Sequence, residues 1–220
     1  MISLGGTTNA RIIGVGNPQL TIVDQTIEGF GQIGVNSLAI NNQGNTIDAN
    51  SPNNPLVLDP NAGGFTNTGI LQASNDGRLE FNAGVYTNSG GVIRAMTGSE
   101  VRFREGTVVV GGELTTQSDG LLSVDTSTNV FFENLTNSGT VVTRNNSDLG
   151  FNGTITNNGT ISVNSTGSAT DIEIQPAGAV LTGTGTTTLS QSASRINGSG
   201  ALEMNDGCLL YTSPSPRDRG

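Results

Sequence analysis

The sequence lacks histidine and lysine altogether, and its single cysteine is Cys208. Without histidine it has neither the commonest general base nor the commonest metal ligand, and without lysine it has neither a P-loop lysine nor Schiff-base chemistry. One cysteine forms no intrachain disulfide. These absences remove most of the usual routes to an enzyme active site.

Charged residues are also scarce, at 12% of the chain, and aromatic residues make up only 4%. The formal net charge is −9, so nucleic acid and anionic bilayers are expected to be repelled. No apolar run approaches the roughly 18–20 residues of a membrane span, and no segment has the spacing of an amphipathic helix. The sequence therefore predicts no nucleic-acid partner and no membrane span within this chain, and it argues against helical and α/β folds.

Glycine, threonine, asparagine and serine are abundant, and together they make up almost half of the chain. These residues favour turns and strands over helices. An apolar residue followed by Thr-Asn-x-Gly and a short β-branched strand recurs at 65–71, 86–93, 135–142 and 155–163. Repetition at a period of twenty-odd residues is typical of solenoids.

A second marker, two apolar residues separated by one other residue, falls between the Thr-Asn-x-Gly copies. We predict that its members form one core stack: Leu79, Phe81, Val101, Phe103, Leu122, Val124, Leu149, Phe151, Ile172 and Ile174. Both markers lengthen to 27 residues at the same interval, from Gly112 to Gly139 and from Leu122 to Leu149. We interpret the segment 128–135 as a loop or additional strand that bulges from a regular coil.

These patterns predict an all-β fold, a β-solenoid of about nine coils with roughly 20–27 residues per coil. The register can be predicted for two coils by aligning 78–84 with 100–106. Leu79 then lies on Val101 and Phe81 on Phe103, facing inward. The same alignment places Arg78 on Glu100 and Glu80 on Arg102 on the outer face, where opposite charges favour pairing.

The recurrent TNSG and TNNGTI turns resemble those of the right-handed parallel β-helix of bacterial secreted and cell-surface proteins. Autotransporter passenger domains and filamentous haemagglutinin-like adhesins, within the pectin-lyase-like fold, are the families concerned. The resemblance implies an internal asparagine ladder, with members at Asn67, Asn88, Asn137 and Asn157. It also implies a secreted or outer-membrane-associated location and a non-catalytic scaffold whose partners are glycans or other cell-surface polymers.

The C-terminal segment needs a separate interpretation. Residues 208–218 read CLLYTSPSPRD, which resembles a translated adapter used in preparing DNA-sequencing libraries. We therefore predict that 208–220 is a non-native, disordered tail, and that 1–207 is a single solenoid taken from a longer protein.

The alternative function is a polysaccharide lyase or hydrolase acting on acidic glycans. Its carboxylates would have to come from Asp24 with Glu28, or from a cluster on the outer face: Glu80, Glu100, Arg102, Arg104 and Glu105. No cofactor is expected, although four acids are candidates for weak calcium binding: Asp48, Asp59, Asp171 and Glu173. A GxGxxG match at Gly29–Gly34 is assigned to a turn, because no helix is predicted after it to hold a pyrophosphate.

Overall fold

The computed structural model describes residues 1–6, 10–190, 193–205 and 209–212, and among them it contains strands and turns but no helix. The strands, in chain order, are β1 (Ile2–Leu4), β2 (Arg11–Ile13), β3 (Gln19–Ile22), β4 (Ile27–Gly29), β5 (Gly31–Gly34), β6 (Ala39–Asn42), β7 (Thr46–Ala49), β8 (Leu56–Leu58), β9 (Phe65–Asn67), β10 (Ile70–Ala73), β11 (Arg78–Phe81), β12 (Gly84–Thr87), β13 (Val92–Ala95), β14 (Glu100–Phe103), β15 (Thr107–Val110), β16 (Glu113–Thr116), β17 (Leu121–Val124), β18 (Asn129–Glu133), β19 (Thr136–Asn137), β20 (Thr140–Thr143), β21 (Asp148–Asn157), β22 (Thr160–Val163), β23 (Thr170–Thr182), β24 (Thr186–Leu189), β25 (Ser194–Gly198), β26 (Leu202–Met204) and β27 (Leu209–Thr212).

The strands pair in parallel and fall into three stacks, which we call sides 1, 2 and 3. Side 1 contains β1, β4, β7, β10, β13, β16, β19, the second halves of β21 and β23, and β26. Side 2 contains β2, β5, β8, β11, β14, β17, β20, β22, β24 and β27. Side 3 contains β3, β6, β9, β12, β15, β18, the first halves of β21 and β23, and β25.

Each coil passes through sides 1, 2 and 3 in turn and then stacks on the next coil. The result is a β-solenoid of about nine turns with about 23 residues per turn, so the predicted solenoid architecture is confirmed. Alternate side chains of each strand point inward, and stacking neighbouring coils buries an apolar face that one coil exposes. Strands rich in threonine and asparagine depend on this stacking, because their outward positions are polar and only their inward positions provide apolar surface to bury.

An aromatic cluster fills the interior of the central coils. The ring centroids of Phe81 and Phe103 lie 5.2 Å apart, and those of Phe103 and Phe132 lie 5.3 Å apart. Tyr86 packs on Phe81 at 4.7 Å and donates its hydroxyl hydrogen to the carbonyl oxygens of Leu58 and Asn82. The only buried phenol of the cluster is thus hydrogen-bonded, as a buried hydroxyl requires.

The register proposed for β11 and β14 is the one in the structure. Arg78 lies opposite Glu100 and Glu80 opposite Arg102, while Phe81 lies opposite Phe103. The alternation of charged and apolar residues along these two strands therefore separates the outer face from the core.

The ten residues of the predicted core stack are all buried, but they form two columns and not one. Those of β11, β14 and β17 lie on side 2, whereas Leu149 and Phe151 of β21 and Ile172 and Ile174 of β23 lie on side 3. On side 2, Leu122 is followed by Val141 of β20. The prediction of one stack is wrong because every side carries the same apolar alternation, so the pattern does not say which side a strand joins.

The asparagine ladder is likewise two ladders at different corners. Asn42, Asn67 and Asn88 lie between side 3 and side 1, where Nδ2 of Asn42 donates to Oδ1 of Asn67 and Nδ2 of Asn67 donates to Oδ1 of Asn88, both at 2.7 Å. Asn137 and Asn157 lie between side 1 and side 2, and Asn137 donates to Asn157 at 2.8 Å. In the coil between the two ladders Gly111 and Gly112 replace the motif, and a Cβ on Gly112 would overlap the amide nitrogen of Asn88.

Both corrections have the same cause. The 27-residue interval spans one coil plus one further side, so the two markers move together from one side to the next. Residues 128–135, interpreted as a bulge, instead contain the regular strand β18, which pairs with β15 and β21.

Four residues of the predicted disordered tail belong to the sheet. Leu209–Thr212 form β27, which pairs with β24 over its full length. The expectation of disorder does not hold for them, because leucine, tyrosine and threonine are suited to strands and β24 offers an unpaired edge. Cys208 and residues 213–220 lie outside the described part of the chain, and the boundary at 207 stays a prediction.

Candidate functional site

The largest concentration of charge on the described surface lies on the outside of side 2. It arises because outward positions of β11 and β14, together with the turn residues that follow β14, β17 and β20, carry acids and arginines. We call this set the side-2 charge cluster: Arg78, Glu80, Glu100, Arg102, Arg104, Asp125 and Arg144. It contains four of the five residues that the enzyme alternative required on the outer face.

Glu80 is surrounded by arginines. Its carboxylate accepts from Nε of Arg78 at 2.7 Å and from Nη1 of Arg104 at 3.0 Å, and Nη1 of Arg102 lies 4.0 Å away. The Glu80 side chain is only 6% exposed, although the alignment placed it on the outer face opposite Arg102. Arginine side chains are long enough to fold over it, which the strand register alone does not show.

Glu100 is held in the same way by different partners. Nη2 of Arg102 lies 2.8 Å from its carboxylate and Nη2 of Arg144 lies 2.6 Å away, while Ser123 donates its hydroxyl hydrogen. Burial acts to raise the pKa of Glu100, but the hydrogen bonds from Arg102 and Ser123 and the charges of Arg144 and Arg102 outweigh it, so the pKa lies below its ordinary value. Glu100 is therefore an ionised carboxylate with occupied oxygens, which is unsuited to a general acid.

Replacing Glu100 by glutamine is expected to lower the free energy of unfolding at neutral pH by about 1–2 kcal/mol, because the arginines lose a charged acceptor. A lowered folded-state pKa means that the carboxylate stabilises the fold above its ordinary pKa of 4.5 and loses this effect as the pH falls through the folded-state value. Urea denaturation at a series of pH values should show the variant approaching the wild type below about pH 4.5. A difference that stays constant with pH would contradict this account.

A groove of about 380 Å³ borders the cluster where side 2 turns into side 3. Its charged lining residues are Asp59, Arg104, Glu105 and Asp125. Burial raises the pKa of Asp59, although a hydrogen bond from Asn82 opposes the shift. Glu105 accepts the backbone N–H of Asn129 at 2.7 Å, and this bond fixes the carboxylate in place. The groove brings Asp59, which sequence analysis placed among calcium candidates, to the residues of the charge cluster.

The other acids singled out in the sequence do not join this groove. Asp24 lies in an exposed turn after β3, and Glu28 points outward from β4, where Asn50 donates to it at 3.5 Å. Asp48 on side 1 accepts from Ser74 at 2.9 Å.

Asp171 and Glu173 lie on side 3. The Asp171 carboxylate accepts hydrogen bonds from Nε and Nη2 of Arg195, at 2.8 and 2.7 Å, and from Nδ2 of Asn197. Within residues 1–6, 10–190 and 193–205 no three acids come close enough together to hold a metal ion.

The GxGxxG segment lies in β4 and β5. Gly29 has a φ of 112°, and a Cβ there would overlap the carbonyl oxygen of Leu4 in the preceding coil. The glycines therefore allow close stacking of backbones, and β5 is followed by a turn and β6.

Sequence reasoning missed two residues of the cluster, Asp125 and Arg144, and Ser123, which donates to Glu100. The signal was available, because extending the alignment of 78–84 and 100–106 to the next two coils places Ser123 on Arg102, and Asp125 and Arg144 in line with Arg104.

Comparisons with known proteins add no assignment: no protein family, curated protein or solved structure matches the chain. The part of the chain that the structure describes contains no helix able to cross a membrane.

Proposed function

We propose that the chain is a non-catalytic β-solenoid scaffold of the secreted or bacterial cell-surface type, part of an adhesin or an autotransporter passenger, that contacts glycans or other cell-surface polymers. The observation that carries the proposal is the occupancy of the side-2 carboxylates. Glu80 and Glu100 hold their arginines at 2.6–3.0 Å, so neither is available to transfer a proton to a substrate. These acids instead stabilise the outer face of side 2.

The outer faces support the contact role. On side 2, the outward hydroxyls of Thr140, Thr160 and Thr186 stack in one column, and Ser162 lies beside Thr188 in the next. Parallel strands lie about 4.8 Å apart, so these hydroxyls repeat at that spacing along the stack. Weak hydrogen bonds repeated at many sites give avidity without high affinity at any one of them.

The second candidate is a β-helix enzyme acting on acidic glycans, and the groove beside the cluster favours it. Asp59 there has a raised pKa and Arg104 lies in the same lining. The scaffold is preferred because Glu105 and Asp125 of that groove already accept backbone N–H hydrogens at 2.7 and 3.0 Å.

Assays of the whole chain distinguish the two proposals. Incubation with polygalacturonate and with neutral polysaccharides, with calcium or with a chelator, is expected to release no products, while binding to immobilised neutral glycans persists in chelator. Turnover that is lost in Asp59→Asn and kept in Asp24→Asn, a control at an exposed turn, would overturn the scaffold. Absence of both turnover and binding would reduce the proposal to a spacer.

A further inference from the structure

Three apolar side chains form an outward column on side 3. Val85 of β12 pairs with Val108 of β15, and Val108 pairs with Phe131 of β18. Val85 is 48% exposed, and the other two are half-buried. We call these residues the Phe131 stripe. Isolated exposed apolar residues are ordinary, but a contiguous stripe on a protein with so few of them indicates a contact surface.

Phe131 is seated on the backbone of the next coil. Its ring covers Gly150, where a Cβ would overlap the ring atoms. Nε2 of Gln175 also approaches Gly150 and is buried without an acceptor among the described residues. The position thus combines an outward aromatic ring held in place by a glycine with a neighbouring amide donor.

The sequence contained a signal for this surface. Phe131 and Phe132 are adjacent in β18, and neighbouring residues of a strand point to opposite faces, so one of the two rings must leave the core. Phe132 is buried against Phe103, which leaves Phe131 outside.

The charges around the stripe limit what can cover it. Further along side 3, the pKa of Asp148 is raised by burial and by the charges of Asp171 and Glu173, and Glu133 points outward beside Phe131. A second copy placed against this side would bring the two sets of acids together. An anionic polymer would meet the same repulsion on a chain of net charge −9. The charge pattern therefore favours a neutral partner.

We propose that the Phe131 stripe is a binding subsite for a neutral glycan chain, a proposal that rests on the scaffold function above. Pyranose rings have an apolar face that stacks on aromatic rings, and their hydroxyls bond to polar groups at the edges. Thr66 and Thr87 are exposed beside the stripe and supply such groups. The coil spacing of about 4.8 Å is close to the length of one sugar unit, so the glycan runs along the stack with one unit per coil.

The absence of tryptophan from the chain provides a direct probe. Phe131→Trp keeps an aromatic surface and introduces a single tryptophan at the stripe. Titration with cello-, manno- and xylo-oligosaccharides is expected to change its emission in a saturable way with at least one of them, while oligogalacturonates leave it unchanged. Calorimetry of the wild type and Phe131→Ala with the same sugar should show at least a tenfold loss of affinity in the alanine variant.

Controls separate this inference from the proposed function. Val15→Ala, at an exposed apolar side chain between β2 and β3, should bind as the wild type does. Thr186→Ala tests the hydroxyl column of side 2 separately, and Phe131→Leu tests whether Phe131→Ala fails through folding. Glycan binding that survives in Phe131→Ala, or that is lost only in Thr186→Ala, overturns the stripe and leaves the scaffold standing. Sedimentation that shows a dimer abolished by Phe131→Ala overturns it in favour of a second copy. No binding by the wild type overturns both the stripe and the contact role of the scaffold, and leaves a spacer.

Discussion

Phe132→Ala is expected to lower the free energy of unfolding by about 3–5 kcal/mol, as for other buried aromatic residues. Phe132 is fully buried and makes an edge contact with Phe103, which in turn packs on Phe81. Removing its ring leaves a cavity in the aromatic cluster that the flanking coils cannot fill, because both are held by continuous parallel pairing with β18.

The matched control is the preceding residue. Phe131→Ala should lower the free energy of unfolding by only about 1 kcal/mol, because the ring lies on the outer face and folding removes only part of its surface from water. Urea denaturation followed by far-ultraviolet circular dichroism measures both variants. Equal losses for the two variants would place both rings in the core and contradict the register of β18.

The coil and its period were predictable because they depend on local chemistry. Apolar alternation specifies a strand with one buried face, and Asn-x-Gly specifies a corner, wherever in a coil they occur. Because these patterns are the same at every position in a coil, they do not show to which side each strand belongs. Leu122 and Leu149 look equivalent in sequence, yet Leu122 stacks on Val141, and Leu149 stacks on Val130 of the neighbouring side.

The charge cluster was predictable in position but not in its contacts. Aligning two strands placed Arg78 opposite Glu100, and the structure has that register. However, Arg78 binds Glu80 of its own strand, and Glu100 binds Arg144 from two coils away. Arginine side chains span more than one coil spacing, so strand register limits their partners without selecting one.

The chemistry of the outer faces was the least predictable part. Composition indicated threonine- and asparagine-rich surfaces, but Phe131 becomes a candidate contact only once Phe132 is seen to occupy the interior and Gly150 is seen beneath the ring. Which of two adjacent aromatic residues points outward depends on the partner strands, and these come from residues twenty or more positions away.

The asparagine ladder at the corner between sides 3 and 1 is expected to contribute substantially to stability. Asn67 is 1% exposed and uses every part of its amide. Nδ2 donates to Oδ1 of Asn88 at 2.7 Å and to the Gly69 carbonyl at 3.1 Å, while Oδ1 accepts from Nδ2 of Asn42 and from the Gly69 N–H. One side chain therefore satisfies polar groups in three successive coils.

Asn67→Ala should lower the free energy of unfolding by about 2–4 kcal/mol, because buried groups left without partners each cost roughly 1–3 kcal/mol. Asn67→Asp keeps the shape but turns an oxygen toward Oδ1 of Asn88, and burial raises the pKa of the new carboxyl group. A raised folded-state pKa means that this variant regains stability as the pH falls, whereas the alanine variant does not. Thermal unfolding at pH values from neutral to acidic tests the pair, with Thr66→Ala on the outer face of β9 as the control. If Asn67→Ala unfolds at the same temperature as Thr66→Ala, the hydrogen bonds of the ladder contribute nothing to stability.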